Sequence, residues 1–482
     1  MKQKSIKGDS ITASMVFKTM ERYFVMVFQM IVQIIIARIL SPDEYGVVAM
    51  MAVFISVATV FIQNGFNMAL VQKKDAGPAD YATAFTLNLI IGLSLYCILL
   101  LFVGVIADFY HQPGIKTYMP VLGLLLVIGS FNSIQVAIAN RQMMFKSLFK
   151  CNVIASLASG LLGILSAFLG VGVWALIIQQ LSSCVISSAT LFVLQHWTPR
   201  FIVSEESAKA MFSFGWKMLV AGLLNQIYNE LNSLVIGRKY TSSDLAFYSK
   251  GSQFPRFITS GLDVSISSVI YSALSKEQDN FKGLHELMRK SMAMNSYMVM
   301  PSLAILAMVA SPLITLLLTE KWLPVVPFMQ ICCLTCAFHP VASVQMQALA
   351  ALGRSDMRLK LEFIKKSIGI FLLLFAMNYG AIGIAISAAI TSIISLFIGA
   401  IACKHIAKYS YIETLSDLFS TTGFSVLAMV GMYAVSQTAE NSIIQILVTS
   451  IVGIMIYGGL SIIFKPYGYI VIKGKIIGFF KR

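Results

Sequence analysis

Long apolar segments recur along almost the whole chain, and short polar connectors separate them. A helix that crosses a bilayer needs about 20 apolar residues, and fourteen segments reach that length. They are residues 15–40, 44–71, 82–107, 117–140, 150–170, 172–194, 209–237, 245–274, 290–318, 325–352, 361–379, 381–403, 416–436 and 442–464. The alternating ten-residue segments typical of transmembrane β-strands are missing from the sequence. The pattern therefore predicts an all-α polytopic membrane protein with fourteen transmembrane helices.

Composition supports this class. The 482 residues are 57% hydrophobic and 12% charged, whereas a soluble domain is about 25% charged. The first apolar segment is too long for a cleaved signal peptide, so we expect it to remain as the first span. The sequence holds no phosphate loop of the G-x-x-x-x-G-K-[ST] type and no large hydrophilic domain. We therefore expect a transporter without a cofactor, and not an enzyme.

Basic residues fall mainly in alternate connectors. If the N-terminus lies inside, the inner segments carry 26 of the 36 lysine and arginine residues and the outer segments carry 5. Because cytoplasmic connectors are enriched in such residues, we expect both termini in the cytoplasm and a location in the inner or plasma membrane. The net charge of +15 follows from this bias and from attraction to anionic membrane lipid, so we expect no nucleic-acid partner.

The seven cysteines lie within spans or near their inner ends, and we expect no disulfide framework. Cys333, Cys336 and His339 have the spacing of a metal cluster, but no fourth ligand lies nearby in the sequence. We favour buried cysteines that act as small hydrophobic side chains over a metal site.

Two motifs recur about 200 residues apart in the sequence. The stretch IARILSPDEYGVVAM (Ile36 to Met50) matches IGRKYTSSDLAFYSK (Ile236 to Lys250), which pairs Ser41 with Thr241 and Glu44 with Asp244. A second pair, GVGVWAL at 170–176 and GAIGIAI at 380–386, lies at a similar offset. Six spans separate the copies, so the two halves enter the membrane from the same side, as in transporters built from parallel repeats.

The repeat predicts two pseudo-symmetric lobes. The first lobe is residues 1–194 with spans 1–6, and the second is residues 209–403 with spans 7–12. A cytoplasmic linker, residues 195–208, joins them, and residues 404–482 supply two additional C-terminal helices and a basic tail.

Polar residues form stripes along several spans. Span 1 carries Lys18, Arg22, Gln29 and Gln33, span 2 carries Gln63 and Asn67, span 7 carries Lys217, Asn225, Asn229 and Asn232, and span 8 carries Gln253, Arg256, Ser260, Asp263 and Ser267. A charge at the bilayer centre costs about 2.5–3.5 kcal/mol on insertion scales. We therefore expect the stripes to face each other between the lobes. For Lys18 and Lys217, snorkelling to the inner interface is an equal alternative.

The charges of these stripes are unequal. Five basic residues, Lys18, Arg22, Lys217, Lys250 and Arg256, stand against three acidic ones, Glu21, Glu230 and Asp263. The predicted cavity is wet and cationic, which suits an anionic, polar passenger, and the forked donors of arginine favour phosphate.

Several motifs are familiar from one family. They are ARILSPDEYGVVAMMAVF, NGFNMALVQKKD at 64–75, ADFYHQP, GVGVWALIIQQ, TEKWLPVVPFMQI at 319–331 and ALAALGRSDM at 348–357. Over residues 15–464 the chain resembles the polysaccharide exporters of the multidrug/oligosaccharidyl-lipid/polysaccharide superfamily. It looks most similar to the colanic-acid and teichuronic-acid type of Wzx-like flippase.

This resemblance implies fourteen helices and export of undecaprenyl-pyrophosphate-linked oligosaccharide to the outer leaflet. It implies a cationic central cavity with basic residues on spans 1, 2, 7 and 8. The matching positions are Lys18, Arg22, Lys217, Lys250 and Arg256. Span 2 departs from the pattern, because its polar residues Gln63, Asn64 and Asn67 are uncharged. We expect Gln29, Gln33, Asn225, Asn229 and Gln253 to add substrate contacts. We also expect a monomer, with polysaccharide polymerase and chain-length machinery as candidate partners.

Three alternatives stay open for the function. A lipid II flippase or a multidrug antiporter of the same superfamily would share the architecture. A membrane-embedded polymerase or transferase would need a large outer loop, which the sequence lacks. With no ATP motif, an ion gradient is the expected drive, and Glu21, Glu230 and Asp263 are the candidate coupling residues. A permanent ion pair between Asp263 and Arg256 is the alternative.

Overall fold

The computed structural model describes residues 8–64, 67, 70, 77–195, 198, 201–276, 280–406, 411–437 and 441–480. Within these ranges the side chains of 8–22, 214, 261–273, 275–276, 281, 355, 405–406, 411–412, 414, 417 and 475–480 lie outside the description. Every regular element in the described ranges is a helix. The predicted all-α class is thus confirmed for this part of the chain.

The helices follow one another with short connections. The first nine are α1 (Gly8–Ile39), α2 (Pro42–Asn64), α3 (Pro78–Tyr110), α4 (Ile115–Leu122), α5 (Leu124–Arg141), α6 (Phe145–Phe168), α7 (Val173–Gln195), α8 (Glu205–Lys239) and α9 (Ser242–Lys276). The later ones are α10 (Phe281–Met308), α11 (Ala310–Leu318), a 3-10 turn (Glu320–Trp322), α12 (Val325–Ala337), α13 (His339–Ala351), α14 (Ser355–Ala376), α15 (Gly380–Ile406), α16 (Tyr411–Ser436), α17 (Ser442–Phe464) and α18 (Tyr467–Phe480).

Each of the fourteen predicted spans contains helix, but not all qualify as membrane spans. In the described part of the chain, ten helical segments are long and apolar enough to cross a membrane. The four predicted spans that are not among them correspond to α1, α8, α9 and α14. For α1 and α9 the structure describes only part of the side chains. Helices α8 and α14 carry many polar or charged residues, which lowers their mean hydropathy. The count of fourteen stays a prediction.

Contacts group the chain into two compact units, Met1–Ala246 and Phe247–Arg482. The lobes predicted from the repeat, residues 1–194 and 209–403, are defined by sequence similarity and not by contacts. Their boundaries stay a prediction.

In the first unit, small residues let α6 pack closely on α1 and α7. A Cβ atom added to Gly160 would lie 2.7 Å from Val32 Cγ2, and one added to Gly163 would lie 2.9 Å from Gln179 Cβ. Helices in a bilayer associate through close van der Waals packing of this kind, because lipid supplies no hydrophobic drive between them.

The two turns that the repeat pairs have the same local structure. The Ser41 backbone N–H and hydroxyl donate to Glu44 Oε2 at 2.7 and 2.9 Å, and the Thr241 N–H and hydroxyl donate to Asp244 Oδ2 at 3.1 and 2.7 Å. Both are reciprocal capping arrangements that satisfy orphan donors at a helix N-terminus. The buried positions that precede them, Ile36 and Ile236, are both fully inaccessible. These shared contacts support the alignment of the motifs.

The paired turns also touch each other. The Ser242 hydroxyl donates a short hydrogen bond to Asp43 Oδ1, and the Cα of Gly46 lies directly against the backbone of Ser242. Further along, Gly237 packs near Met50, and Gly222 packs against Asn64. Helices α2 and α8 therefore run antiparallel and form a close seam from Gly46 to Asn64.

In the second unit, α10 packs against α12, α13, α16 and α18, and α15 packs against α12, α13 and α14. A buried cluster that includes Met288, Met300, Val344 and Leu396 fills the space among these helices. The helix predicted for residues 325–352 is interrupted at Phe338, and Pro340 occupies the first turn of α13. Proline is tolerated there because the first-turn N–H groups have no partner within the helix.

The seam gives a stability prediction. Replacing Gly46 by Ala places a methyl group on the Ser242 carbonyl, so one backbone segment has to move. Such overpacking costs about 1–3 kcal/mol, and we expect a lower thermal unfolding midpoint for Gly46→Ala in detergent. Gly104→Ala is the matched control, since a Cβ there meets nothing within 4 Å. Equal midpoints for the two variants would contradict the close contact.

Candidate functional site

Helix α8 presents a polar stripe and an apolar face. Lys217, Asn225 and Asn229 are all exposed, and at 3.6 residues per turn they fall within about 120° of one another. Val220 and Ile227, which are 45% and 46% exposed, lie about 140–180° around the helix from Asn225 and Asn229 and about 60–80° from Lys217. An exposed stripe of amides and one ammonium suits water or a polar ligand, whereas the apolar face suits lipid. Three predicted substrate contacts thus share one open face about 18 Å long.

Glu230, a candidate coupling residue, lies at the α2–α8 seam. Its Oε1 accepts a hydrogen bond from the Ser56 hydroxyl at 3.0 Å and another from Gln226 Nε2 at 2.9 Å. The side chain is half-buried. Neutral donors from α2 and α8 therefore hold this carboxylate within the first unit.

On α1 the predicted site residues differ in their surroundings. Gln29 is exposed, but Gln33 donates from Nε2 to Gln179 Oε1 at 3.0 Å. The Tyr45 hydroxyl lies 3.2 Å from the Gln33 carbonyl oxygen and donates to it. Gln33 is therefore engaged in helix packing inside the first unit. The side chains of Lys18, Glu21 and Arg22 lie outside the described residues.

On α9 the predicted residues fall on different faces. Lys250 is 7% exposed, and next to it Gly251 packs closely on Phe328 of α12. Gln253 is half-buried and Arg256 is exposed. Lys250 and Arg256 thus differ in environment, and only Arg256 presents its side chain at the surface of the helix. The Asp263 side chain lies outside the described residues.

A cavity of about 550 Å³ lies among α2, α5 and α7 of the first unit. We call it the amide cavity, because five of its lining residues are Gln63, Asn64, Asn67, Asn132 and Asn140. Thr59, Ser133, Cys184 and Gly129 also line it, together with Ile55, Leu125, Val136 and Ala137. The three uncharged polar residues noted on span 2 are therefore brought together with amides from α5.

A second cavity in the first unit, of about 800 Å³, carries charge. It lies beside the paired turns, and Asp43, His111, Arg238 and Lys239 are among its lining residues. Arg238 Nη1 lies 2.8 Å from His111 Nδ1, and the guanidinium lies 5.3 Å from the centroid of the Phe109 ring. His111 occupies the left-handed region, with φ of 54°, where α3 ends. These contacts fix the end of α3 next to the end of α8.

The cysteine group on α12 lies in an apolar setting. Cys333 and Cys336 belong to a buried cluster with Val299, Leu303 and Ala307. Among the described residues, no three His, Cys, Asp or Glu side chains are grouped in a way that could hold a metal ion.

The polar residues of α5 were not among the predicted site residues. Asn132 and Asn140 are spaced by eight residues, so they lie on one side of that helix. The sequence signal that could have identified them is a pair of amides on one face of this span. Ser56 was not predicted either, because its hydrogen bond to Glu230 joins two helices that are distant in the sequence.

Solved structures place this fold among membrane transporters. The chain superposes on a lipid II flippase, MurJ in an inward closed conformation, with a TM-score of 0.75 and 16% identity, covering 93% of this chain and 98% of that one. It also superposes on an inward-facing multidrug resistance MATE transporter of the MOP superfamily, with a TM-score of 0.60 and 15% identity, covering 80% and 96%. The chain has the fold of this superfamily.

Sequence comparison defines the family more closely. The family model described as polysaccharide biosynthesis protein, Polysacc_synt_3, matches residues 35–327. The chain belongs to this family, and the predicted resemblance is confirmed. It is a multi-pass membrane protein whose relatives include transporters and flippases.

Two curated relatives illustrate the family. The teichuronic acid biosynthesis protein TuaB of Bacillus subtilis is 24% identical over 307 residues, which is 62% of this chain and 62% of TuaB. The lipopolysaccharide biosynthesis protein WzxC of Escherichia coli is 21% identical over 408 residues, which is 83% of this chain and 82% of WzxC.

The two faces of α8 can be told apart by labelling. In a chain without its seven native cysteines, we expect single cysteines at Asn225 and Asn229 to react quickly with a membrane-impermeant thiol reagent in isolated membranes. Cysteines at Val220 and Ile227, on the opposite side of the helix, should react at least tenfold more slowly, because a thiol that faces lipid ionises poorly. Similar rates at all four positions would mean that the stripe does not face water.

Proposed function

We propose that the protein is a flippase for lipid-linked oligosaccharides. It moves undecaprenyl-pyrophosphate-linked oligosaccharide units from the cytoplasmic to the outer leaflet of the cell membrane, and both of its termini lie in the cytoplasm. The exposed polar stripe of α8 carries this proposal, because a wet helix face in a membrane transporter needs a polar passenger. Family membership supports the polysaccharide part of the passenger.

The anionic pyrophosphate is the part of the passenger that a cationic cavity would recognise. Lys18 and Arg22 on α1, Lys217 on α8, and Arg256 on α9 supply the positive charge in this proposal. Arginine donates two parallel hydrogen bonds to a phosphate group, which a lysine ammonium does not do. The exposed Arg256 suits this role better than the buried Lys250.

Transport then follows alternating access, with one side of the central cavity open at a time. The close α2–α8 seam supports such a mechanism, because glycines and a serine line it. Small residues allow two helices to approach and separate without large side chains interlocking. We expect the protein to act as a monomer, with the polysaccharide polymerase receiving its product.

An ion gradient supplies the energy in this proposal. A lipid-linked anion with a large polar headgroup does not cross hydrocarbon unaided, since each unsatisfied polar group costs several kcal/mol. Glu230 is a candidate for coupling because its carboxylate is held by neutral donors within the seam. Asp263, seven residues or about two turns beyond Arg256, and Glu21 on α1 are the other candidates.

The substrate prediction concerns the two arginines. In the source organism, with the chromosomal copy deleted, we expect Arg22→Ala or Arg256→Ala to lower surface polysaccharide at least tenfold. Lipid-linked oligosaccharide should accumulate at the cytoplasmic face of the membrane, because the pyrophosphate has lost its bidentate partner. Arg256→Lys should restore export only in part. The measurements are polysaccharide mass at the cell surface and the lipid-linked intermediate in extracts.

Arg354→Ala is the matched control. Arg354 is an exposed arginine ahead of α14, and its Nε lies 3.5 Å from Asp356 Oδ1. An exposed pair of this kind contributes about 0–1 kcal/mol, so the control should export normally. Normal export by both single variants would refute the proposed passenger site. Accumulation of lipid II in place of the oligosaccharide intermediate would favour a lipid II flippase.

The coupling prediction concerns Asp263. If its carboxylate takes up a proton or sodium ion during transport, Asp263→Asn should move oligosaccharide in membrane vesicles without dependence on either gradient. If the carboxylate forms a permanent ion pair, the variant should instead give less protein and keep its gradient dependence. Glu230→Gln, measured in the same vesicles, tests the second candidate. Both variants are compared with wild type after each gradient has been collapsed separately.

A further inference from the structure

The amide cavity differs chemically from the cationic stripes. In the described part of the chain its lining is thirteen residues, which include five amides and two hydroxyls, and none of these thirteen is Asp, Glu, Lys, Arg or His. Amides offer both donors and acceptors, which is the requirement for binding hydroxyl groups. A site for the pyrophosphate would need positive charge, so this cavity suits a different part of a ligand.

Hydrogen bonds hold one wall of the cavity in place. The buried side chain of Asn88 donates from Nδ2 to Asn67 Oδ1 at 3.0 Å and lies 3.3 Å from Ser133 Oγ. Asn67 in turn donates to the Ile62 carbonyl oxygen at 2.9 Å. Positions fixed by such a network keep their orientation when a ligand enters, which lowers the entropic cost of binding.

Asn132, next to Ser133 on α5, is also held in place. It donates from Nδ2 to Ser187 Oγ at 3.0 Å, and its Oδ1 is buried without a hydrogen-bond partner among the described residues. Because this oxygen has no accessible surface, Asn132 shapes the wall of the cavity, and the other amides supply the groups that a ligand can reach.

The cavity also has room for a ligand larger than an ion. Its volume of about 550 Å³ falls within the range of about 300–1,000 Å³ for small-molecule sites. Gly129 lines it, and a Cβ atom added at Gly129 would meet nothing within 4 Å. A single water or sodium ion would leave most of this space empty.

We propose that the amide cavity binds an uncharged, hydroxyl-rich sugar residue of the passenger, separately from the basic residues that take its pyrophosphate. This inference rests on the proposed function, because it assigns the sugar part of the same lipid-linked passenger. Amides that are fixed in place form hydrogen bonds only with hydroxyl groups in matching positions. The cavity would therefore select among sugars by the positions of their hydroxyl groups.

The first experiment fills the cavity. Leucine at Gly129 projects into the open space, and we expect Gly129→Leu to lower surface polysaccharide at least tenfold at normal protein amount. Gly104→Leu is the matched control, since a Cβ at Gly104 also meets nothing within 4 Å and this residue does not line the cavity. Normal export by Gly129→Leu would overturn the proposal, because a space that holds only water can be filled without loss.

The second experiment detects the sugar directly in the full-length protein. Cys184 lines the cavity, so in a chain with the other six cysteines replaced its alkylation by a small water-soluble maleimide reports occupancy. The probe is the free oligosaccharide released by mild acid from the lipid-linked intermediate of the source organism. We expect it to slow labelling at least threefold, and undecaprenyl pyrophosphate without sugar to leave the rate unchanged.

A paired substitution gives a further control. Gln63 and Asn140 line the cavity, and the double variant Gln63→Ala with Asn140→Ala should abolish protection by the oligosaccharide. Gln142→Ala, which removes an exposed amide two residues beyond Asn140, should retain it. Protection by undecaprenyl pyrophosphate alone, or none by the oligosaccharide, would overturn the sugar assignment.

Failure of the two proposals can be distinguished. If wild-type protein restores surface polysaccharide but the oligosaccharide does not protect Cys184, only the sugar site is wrong. If wild-type protein does not restore polysaccharide, the proposed function is wrong, and the sugar site on which it rests is wrong with it.

Discussion

Inside a bilayer, every polar side chain needs a hydrogen-bond partner or water, and the first unit is organised by this constraint. Glu230 on α8 meets Ser56 on α2, and Gln33 on α1 meets Gln179 on α7. Each pair joins helices that lie far apart in the sequence. Lys217, Asn225 and Asn229 of α8 are exposed. Packing and the proposed transport path therefore follow from the same requirement.

The α2–α8 seam combines this requirement with close backbone approach. Gly46 removes a side chain where α2 meets Ser242 at the start of α9, and Gly222 removes one where α8 meets Asn64 of α2. The Ser56–Glu230 bond lies between these two contacts. Such a seam has little interlocked side-chain volume, while its hydrogen bonds fix the register of the two helices. The seam therefore joins close backbone approach to a defined register.

The length of the apolar runs predicted the helices well, because a helix that crosses the hydrocarbon core needs about 20 apolar residues, and ten helical segments of the described chain meet this requirement. The alignment of Ser41 with Thr241 also identified two turns that share a capping arrangement, since caps are local. The partners of polar residues were not predictable in this way. Gln33 shares a face with Gln29 by spacing, yet it bonds to Gln179, and spacing within one helix carries no information about its neighbour. The amides Asn132 and Asn140 acquire a shared role only when α2 and α7 pack around them.

The composition of α8 has a consequence for biosynthesis. As a predicted span, α8 carries Lys217, Glu230 and several amides, so its entry into a lipid phase would cost more free energy than that of its neighbours. Its partner α2 is synthesised much earlier, so Ser56 would already be in place when α8 leaves the ribosome. Insertion of α8 would then depend on capture by a preceding helix. A seam substitution such as one at Gly46 would then reduce the yield of inserted protein as well as the stability of the protein that does insert.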